Sequence, residues 1–434
     1  MKTEKTGRAL RGSRIRLRVF ALMWVLVLLN FIDRSALSIS LPLISDEFDI
    51  TPEMQGWLLG SFFWTYLLLQ IPGGWLLDRY GPRRVVAWAG TLWGAFQLLG
   101  GLVSGGLLLT ATRLGLGATE APVFPAGAKL NANWLPPAER ARGATFIDMA
   151  GPFGAAIGGV IVTALIGLTG SWRWAFIITG ALTIVTAILT GIYLRDTPEQ
   201  HPGVDAAELE SIRGGTTQAE VAAAGEALPT VRDYARSRSF WGLWLGRLGW
   251  ATVWWGIISW TPTYLSDALG FDLVSLGWGT FLVYGCGVVG QLLSGQATDH
   301  FRNRTENHNL VMRVVLGISG GGSILAILAI PLVSNGYAAL ALLGLAVFFN
   351  QMGGIYWAIP AWLAPRPQVG KVGSVMNVAS SAGGGLAPVV MGYSIAAAGG
   401  GYGGAFVFLA FAAALFLAGS MTIDFRRPLA SVKA

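Results

Sequence analysis

Six ionisable side chains fall inside apolar runs of this chain: Asp33 and Arg34 side by side, Arg113 and Glu120 seven residues apart, and Asp148 and Arg247 each in a run of its own. An ionised group near the centre of a membrane-spanning helix costs roughly 2.5–3.5 kcal/mol on insertion scales, so such groups must face a wet, polar interior. The three arginines are permanently charged forks that match a carboxylate in bidentate geometry, which lysine would serve less well. The acids can switch. A carboxyl group in a low-dielectric cavity is pushed towards its neutral form by desolvation and towards its charged form by a neighbouring arginine, so a change of geometry can load or unload a proton. Together these residues have the makings of an anion receptor whose occupancy is linked to protonation.

The elements that must carry them are read from composition. With 53% hydrophobic residues, 12% charged and 60 glycines in 434 positions, the chain is too apolar for a soluble domain and reads as a polytopic membrane protein. The first run, residues 17–41, exceeds the ~20 residues a helix needs to cross a bilayer. It is too long for a secretory signal, carries Asp33-Arg34 and lacks a small-residue cleavage site, so it is expected to remain on the mature protein. Twelve such runs start near residues 17, 54, 84, 107, 141, 172, 239, 274, 309, 336, 369 and 402. Charge sorting supports the count. With a cytoplasmic N-terminus, every Lys and Arg except Arg34, Arg113, Arg173 and Arg247 falls in a cytoplasmic connection, while the first outer connection holds Asp46, Glu47, Asp49 and Glu53. The positive-inside rule then puts both termini in the cytoplasm, and the net charge of +7 is largely this bias rather than a nucleic-acid surface. Cys286 has no partner for a disulfide, and His201, His300 and His308 fall in polar connections without metal-ligand spacing.

The organisation expected is a basic N-terminus (1–16), a six-helix half (17–194), a cytoplasmic linker (195–238), a second six-helix half (239–424) and a short tail (425–434). The halves echo each other: Gly74-Trp75-Leu76-Leu77-Asp78 with Arg83 recurs at the same spacing as Gly295-Gln296-Ala297-Thr298-Asp299 with Arg304. Internal repeats of this kind build many secondary transporters, with the substrate site between them near the bilayer midplane.

The segment Gly74-Trp75-Leu76-Leu77-Asp78-Arg79-Tyr80-Gly81-Pro82-Arg83-Arg84 resembles the signature loop between spans 2 and 3 of the major facilitator superfamily. The resemblance implies an all-α membrane fold of twelve helices in two pseudo-symmetric halves. It also implies a conformational latch at Asp78, Arg79 and Arg83, with a weaker copy at Asp299 and Arg304 where Arg302 replaces the second glycine. Ile32-Asp33-Arg34-Ser35, Tyr66 ahead of Gln70-Ile71-Pro72-Gly73-Gly74, Glu120-Ala121-Pro122-Val123-Phe124-Pro125 and Trp172-Arg173-Trp174-Ala175-Phe176 together look like the anion:cation symporter family, closest to the bacterial sugar-acid permeases. That family implies proton-coupled uptake of an organic anion across the bacterial inner membrane, with Asp33 and Glu120 as proton sites and Tyr66, Trp255 and Asn377 as substrate contacts.

Arg113 and Glu120 return to one helix face about 10 Å apart, and Arg34 and Arg113 lie at comparable depth, so the two arginines are expected to share one chamber; the alternative is a set of structural ion pairs locking spans 1 and 4. Trp254, Asn350, Trp357 and Ser381 sit where they could also face the cavity. Asp148 and Arg247 depart from the sugar-acid pattern, as does Pro152 at a position used for substrate in the galactonate permease. The extra base could hold a second carboxylate or snorkel to the cytoplasm; the extra acid could neutralise it or bind an amine. Gly154, Gly158 and Gly383-Gly384-Gly385 suit close helix contacts, and Gly151-Pro152-Phe153-Gly154 partly matches the span 5 signature of drug/proton antiporters. The expected protein is therefore a monomeric proton-coupled symporter of a small organic anion (sugar acid or other mono- or dicarboxylate), lipid-embedded, with no metal, cofactor, nucleic acid or enzyme activity. A drug or metabolite exporter and a non-transporting membrane sensor are the rivals.

Overall fold

Some helix ends are set by neighbouring residues, such as the capping box at Thr230, and others by residues far along the chain. The computed structural model describes residues 14–213, 228–305, 307–365 and 368–430. The basic residues before position 14, the centre of the linker, Arg366 and Lys433 lie outside the described residues.

Helix α1 (Ile15–Phe48) begins with the N–H groups of Ile15 and Arg16 donating to the Glu208 carboxylate, at 3.2 and 3.1 Å. Its end is marked by Asp49 in the left-handed region. Helix α2 (Pro52–Gly100) covers two crossings joined at Gly81, whose φ of 79° breaks the helical path ahead of Pro82. There Asp196 accepts from the Arg83 N–H at 2.8 Å, so an anion caps the freed N-terminus of the third crossing. A Cβ on Gly81 would strike that carboxylate, which makes glycine obligatory in both conformation and space.

The fourth crossing is split at Pro122 into α3 (Gly106–Glu120) and α4 (Val123–Trp134). Helices α5 (Pro137–Thr169) and α6 (Trp172–Tyr193) complete the first half. The linker contributes α7 (Ala206–Arg213) and α8 (Val231–Arg236), the latter opened by a Thr230/Asp233 capping box. The second half holds α9 (Arg238–Thr263), continued by a π-turn to Ala268, then α10 (Leu273–Arg304) and α11 (His308–Ala329). Next come α12 (Gly336–Met352), continued through a 3-10 stretch into α13 (Ile359–Leu363), then α14 (Val369–Ala397) and α15 (Gly403–Thr422).

Seven of the described helices are long and apolar enough to cross a membrane by length and composition alone. The other crossings carry what function needs: prolines and charges in α2 and in the α3/α4 pair, six tryptophans in α9, and glycine, serine and Asn377 in α14.

Within the first half α1 packs on α5 and α6, and α2 on α3 and α6; within the second α9 packs on α14 and α15, and α10 on α12. The halves meet through α2 on α14, α5 on α10 and α1 on α9. Among the described residues these contacts are tight at one end and open at the other. A Cβ on Gly56 would come within 2.6 Å of the Pro388 carbonyl oxygen, and Gly277 of α10 lies against Thr163 of α5. About five turns along the same stripes, at 3.6 residues per turn, are Gly74 on α2, Gly295 on α10 and Gly370 on α14, where an added Cβ meets nothing within 4 Å. The halves are sealed on the side away from the chain termini and splayed on the side of the termini and basic loops.

Candidate functional site

Between the halves lies a cavity of about 720 Å³, its solvent-open mouth included. Its wall includes Phe31 and Arg34 of α1, Phe63 and Tyr66 of α2, and Asp148 and Pro152 of α5. The second half supplies Arg247, Trp250, Trp254 and Trp255 of α9, Gln291 of α10, Gln351, Trp357, and Asn377, Ser380 and Ser381 of α14.

Arg34 is held at one level of this wall. Its Nη2 donates to Glu120 Oε2 at 3.0 Å, and its guanidinium lies 4.3 Å from the Phe62 ring, 4.8 Å from Trp255 and 5.1 Å from Phe31. Each cation–π contact of this kind adds ~0.5–2 kcal/mol and leaves the charge poorly hydrated, so an anion arriving from the cavity meets a base already stripped of water. Glu120 is fully buried behind Arg34, and its Oε1 has no hydrogen-bond partner among the described residues. Separating such a pair by removing its charge on one side leaves the other side seeking a new counter-ion.

Arg113 sits elsewhere. Sequence spacing placed it in one chamber with Arg34, but its Nη2 donates to Gln97 Oε1 at 2.6 Å, its guanidinium lies 5.1 Å from the Phe176 ring, and it is not part of the cavity wall. Gln97 in turn donates to Thr179. Asp33 belongs to this sealed polar layer as well: it is fully buried, and its Oδ2 accepts from Trp93 Nε1 at 2.8 Å and Thr183 Oγ1 at 3.3 Å. Both Asp33 and Glu120 interact electrostatically with Arg113. The first half therefore carries a charge layer, Asp33–Arg113–Glu120–Arg34, of which Arg34 alone lines the cavity.

At the other level, Arg247 does not snorkel. It is 3% exposed and lies between the rings of Trp250 and Trp357, at 4.1 and 4.4 Å, with Nε donating to Ser380 Oγ at 2.6 Å. Asp148, from the opposite half, lines the same cavity, interacts electrostatically with Arg247 and accepts a 2.9 Å hydrogen bond from Gln291. Tyr66, Trp254, Trp255, Trp357, Asn377 and Ser381 all reach the cavity. Asn350 does not: it exchanges backbone and side-chain contacts with Trp250.

Among the described residues, the partners of the signature loop lie in its own half. Asp78 pairs with Lys129 of α4 at 2.8 Å, Arg79 lies near Trp75 and Tyr80, and Arg83 donates to the Gly191 carbonyl, all within the first half. Exposed Asp299 interacts with Arg302, which lies 3.9 Å from the Trp362 ring. Lys129, Asp196, Gln97 and Trp250 were not singled out from sequence; only Trp250, one turn from Arg247 on the same helix, carried a usable spacing signal.

A match to the Major Facilitator Superfamily covers residues 23–388. The chain belongs to this superfamily. It is 32% identical to the probable sulfoacetate transporter SauU of Cupriavidus necator, with 88% of each chain aligned, and 30% identical to a D-galactonate transporter of Escherichia coli, over 89% of this chain and 90% of that one. The probable galactarate/D-glucarate transporter GarP of Escherichia coli is 28% identical over 89% of both. Among solved structures, a bacterial homologue of the lysosomal transporter Spinster, inward-facing and unoccupied, superposes with a TM-score of 0.76 at 21% identity over 94% of this chain and 98% of that one. A D-xylose–proton symporter gives 0.69 at 15% identity, over 92% and 97%. The major facilitator member described here is thus a multi-pass transporter and not an enzyme, and its fold is the twelve-helix architecture of the superfamily.

Proposed function

We propose that this transporter imports a small organic anion together with protons by alternating access between its two halves, across a bacterial inner membrane with both termini in the cytoplasm. The observation that carries the reading is the 3.0 Å pair between Arg34, on the cavity wall, and Glu120, buried behind it. With Glu120 ionised, Arg34 is neutralised from within. When Glu120 takes a proton, Arg34 loses that counter-charge and is free for a carboxylate or sulfonate, so anion and proton favour each other's binding. Asp33 and Arg113 extend this charge layer towards the sealed side and supply a second protonatable position. The names of the relatives, transporters of sulfoacetate, galactarate and galactonate, support an anionic cargo. The basic loops on the side of the termini support the orientation, and the splayed geometry on that side then corresponds to an inward-open state.

The test is Glu120→Gln in proteoliposomes, where the neutral isostere stands in for the protonated acid. Substrate accumulation driven by an imposed pH gradient should disappear while counterflow exchange persists. A mutant that still concentrates substrate under a pH gradient would show that Glu120 is not the coupling site.

A further inference from the structure

Arg247 is a buried base with unused hydrogen-bonding capacity. Its Nε is spent on Ser380, but among the described residues its Nη1 is buried without a partner. A desolvated guanidinium N–H left unpaired is costly, and it is tolerated where a ligand completes it. The two rings that enclose the guanidinium hold it in a plane, which fits bidentate capture of a carboxylate or sulfonate. Asp148 is the acid nearest in function, yet its hydrogen bond goes to Gln291 rather than to Arg247. It offsets the charge without occupying the fork.

The placement relative to Arg34 adds a length. Arg34 stacks on Trp255 and Arg247 on Trp250, two rings of one helix five residues apart, about 7.5 Å of rise at 1.5 Å per residue. Both arginines line one cavity, at two levels. We propose that Arg247 is a second anion subsite, with Asp148 as its resident counter-charge, and that the transporter selects small dianions over monoanions. This rests on the reading of Arg34 as the first receptor and adds the class of cargo: a molecule with an acidic group at each end of a short chain or ring.

Binding titrations on the purified full chain test it with matched pairs: sulfoacetate against acetate, galactarate against galactonate, phthalate against benzoate. Wild type should prefer the dianion in at least one pair, and Arg247→Gln should cost that dianion about tenfold or more while its monoanion partner changes less than about threefold. Arg247→Lys, which keeps the charge and loses the planar fork, should fall between the two and guards against a folding defect in the glutamine variant. Asp148→Asn should raise the dianion preference above wild type. Equal losses for both members of each pair, no dianion preference in wild type, or a lowered preference in Asp148→Asn would overturn the subsite. Arg34→Ala separates the two readings: if both members of a pair still bind it as they bind wild type, the first receptor is wrong, whatever Arg247 does.

Discussion

The two halves use charge in opposite ways. In the first, four ionisable groups form a layer closed upon itself, with Asp33, Arg113 and Glu120 buried and Arg34 alone reaching the cavity. In the second, one arginine stands between two tryptophans, and its acidic neighbour comes from the first half. Pseudo-symmetric scaffolds have thus been loaded asymmetrically. An acid paired with a base can take up a proton and free that base for an anion, so that the two charges offset, whereas a single base held by rings can only recognise. Each half also supplies a group to the other's base, Trp255 to Arg34 and Asp148 to Arg247, so neither centre is complete until the halves are docked.

Four substitutions can break or sharpen this contrast. The largest effect is expected from Arg34→Ala, which removes the one link between the charge layer and the cavity. Uptake should fall by about 100-fold, the scale of a lost charged hydrogen-bond pair, in protein that remains folded and monodisperse; wild-type uptake would dissolve the distinction between the halves. Arg113→Gln sharpens it. A residue buried with Gln97 and away from the cavity should lower the maximal rate by about tenfold while KM stays within about twofold. A tenfold rise in KM at unchanged rate would return Arg113 to the receptor. The smallest effect is expected at the repeated loop. Asp78→Asn removes the Lys129 pair and should slow transport by about two- to threefold, the scale of an exposed ion pair, whereas Asp299→Asn, in the degraded copy, should leave the rate unchanged. Comparable slowing by the two would show that the copies are functionally alike.

The course of the chain through the membrane was readable because it depends on quantities local to each segment: apolar length, charge sorting and the Gly-Asp-Arg spacing of the loop after span 2. The charged residues of the site were readable for the same reason, since an intramembrane charge announces itself by cost. What each charge meets was not. Seven-residue spacing shows that Arg113 and Glu120 share a face of α3 but is silent on the neighbour that face meets, and Gln97, the neighbour that turns Arg113 away from the cavity, lies on another crossing. The break at Pro122, the Asp196 cap and the Lys129 partner of Asp78 likewise depend on long-range packing. Arg247 was ambiguous between snorkelling and cavity; the decision rests on Trp357, more than a hundred residues along the chain.

The carboxylate of Glu208 that caps the start of α1 has a consequence for how the protein is made. The first crossing emerges from the ribosome with its leading N–H groups unfulfilled, and the residue that satisfies them is 193 positions later in the chain. At about 5–20 residues per second, synthesis separates the two by ~10–40 s. The contact between Glu208 and the start of α1 can therefore form only after the whole first half and the start of the linker have been synthesised. The Glu208 link thus ties the start of the first half to the linker that follows it, through a residue that is synthesised before the last six crossings.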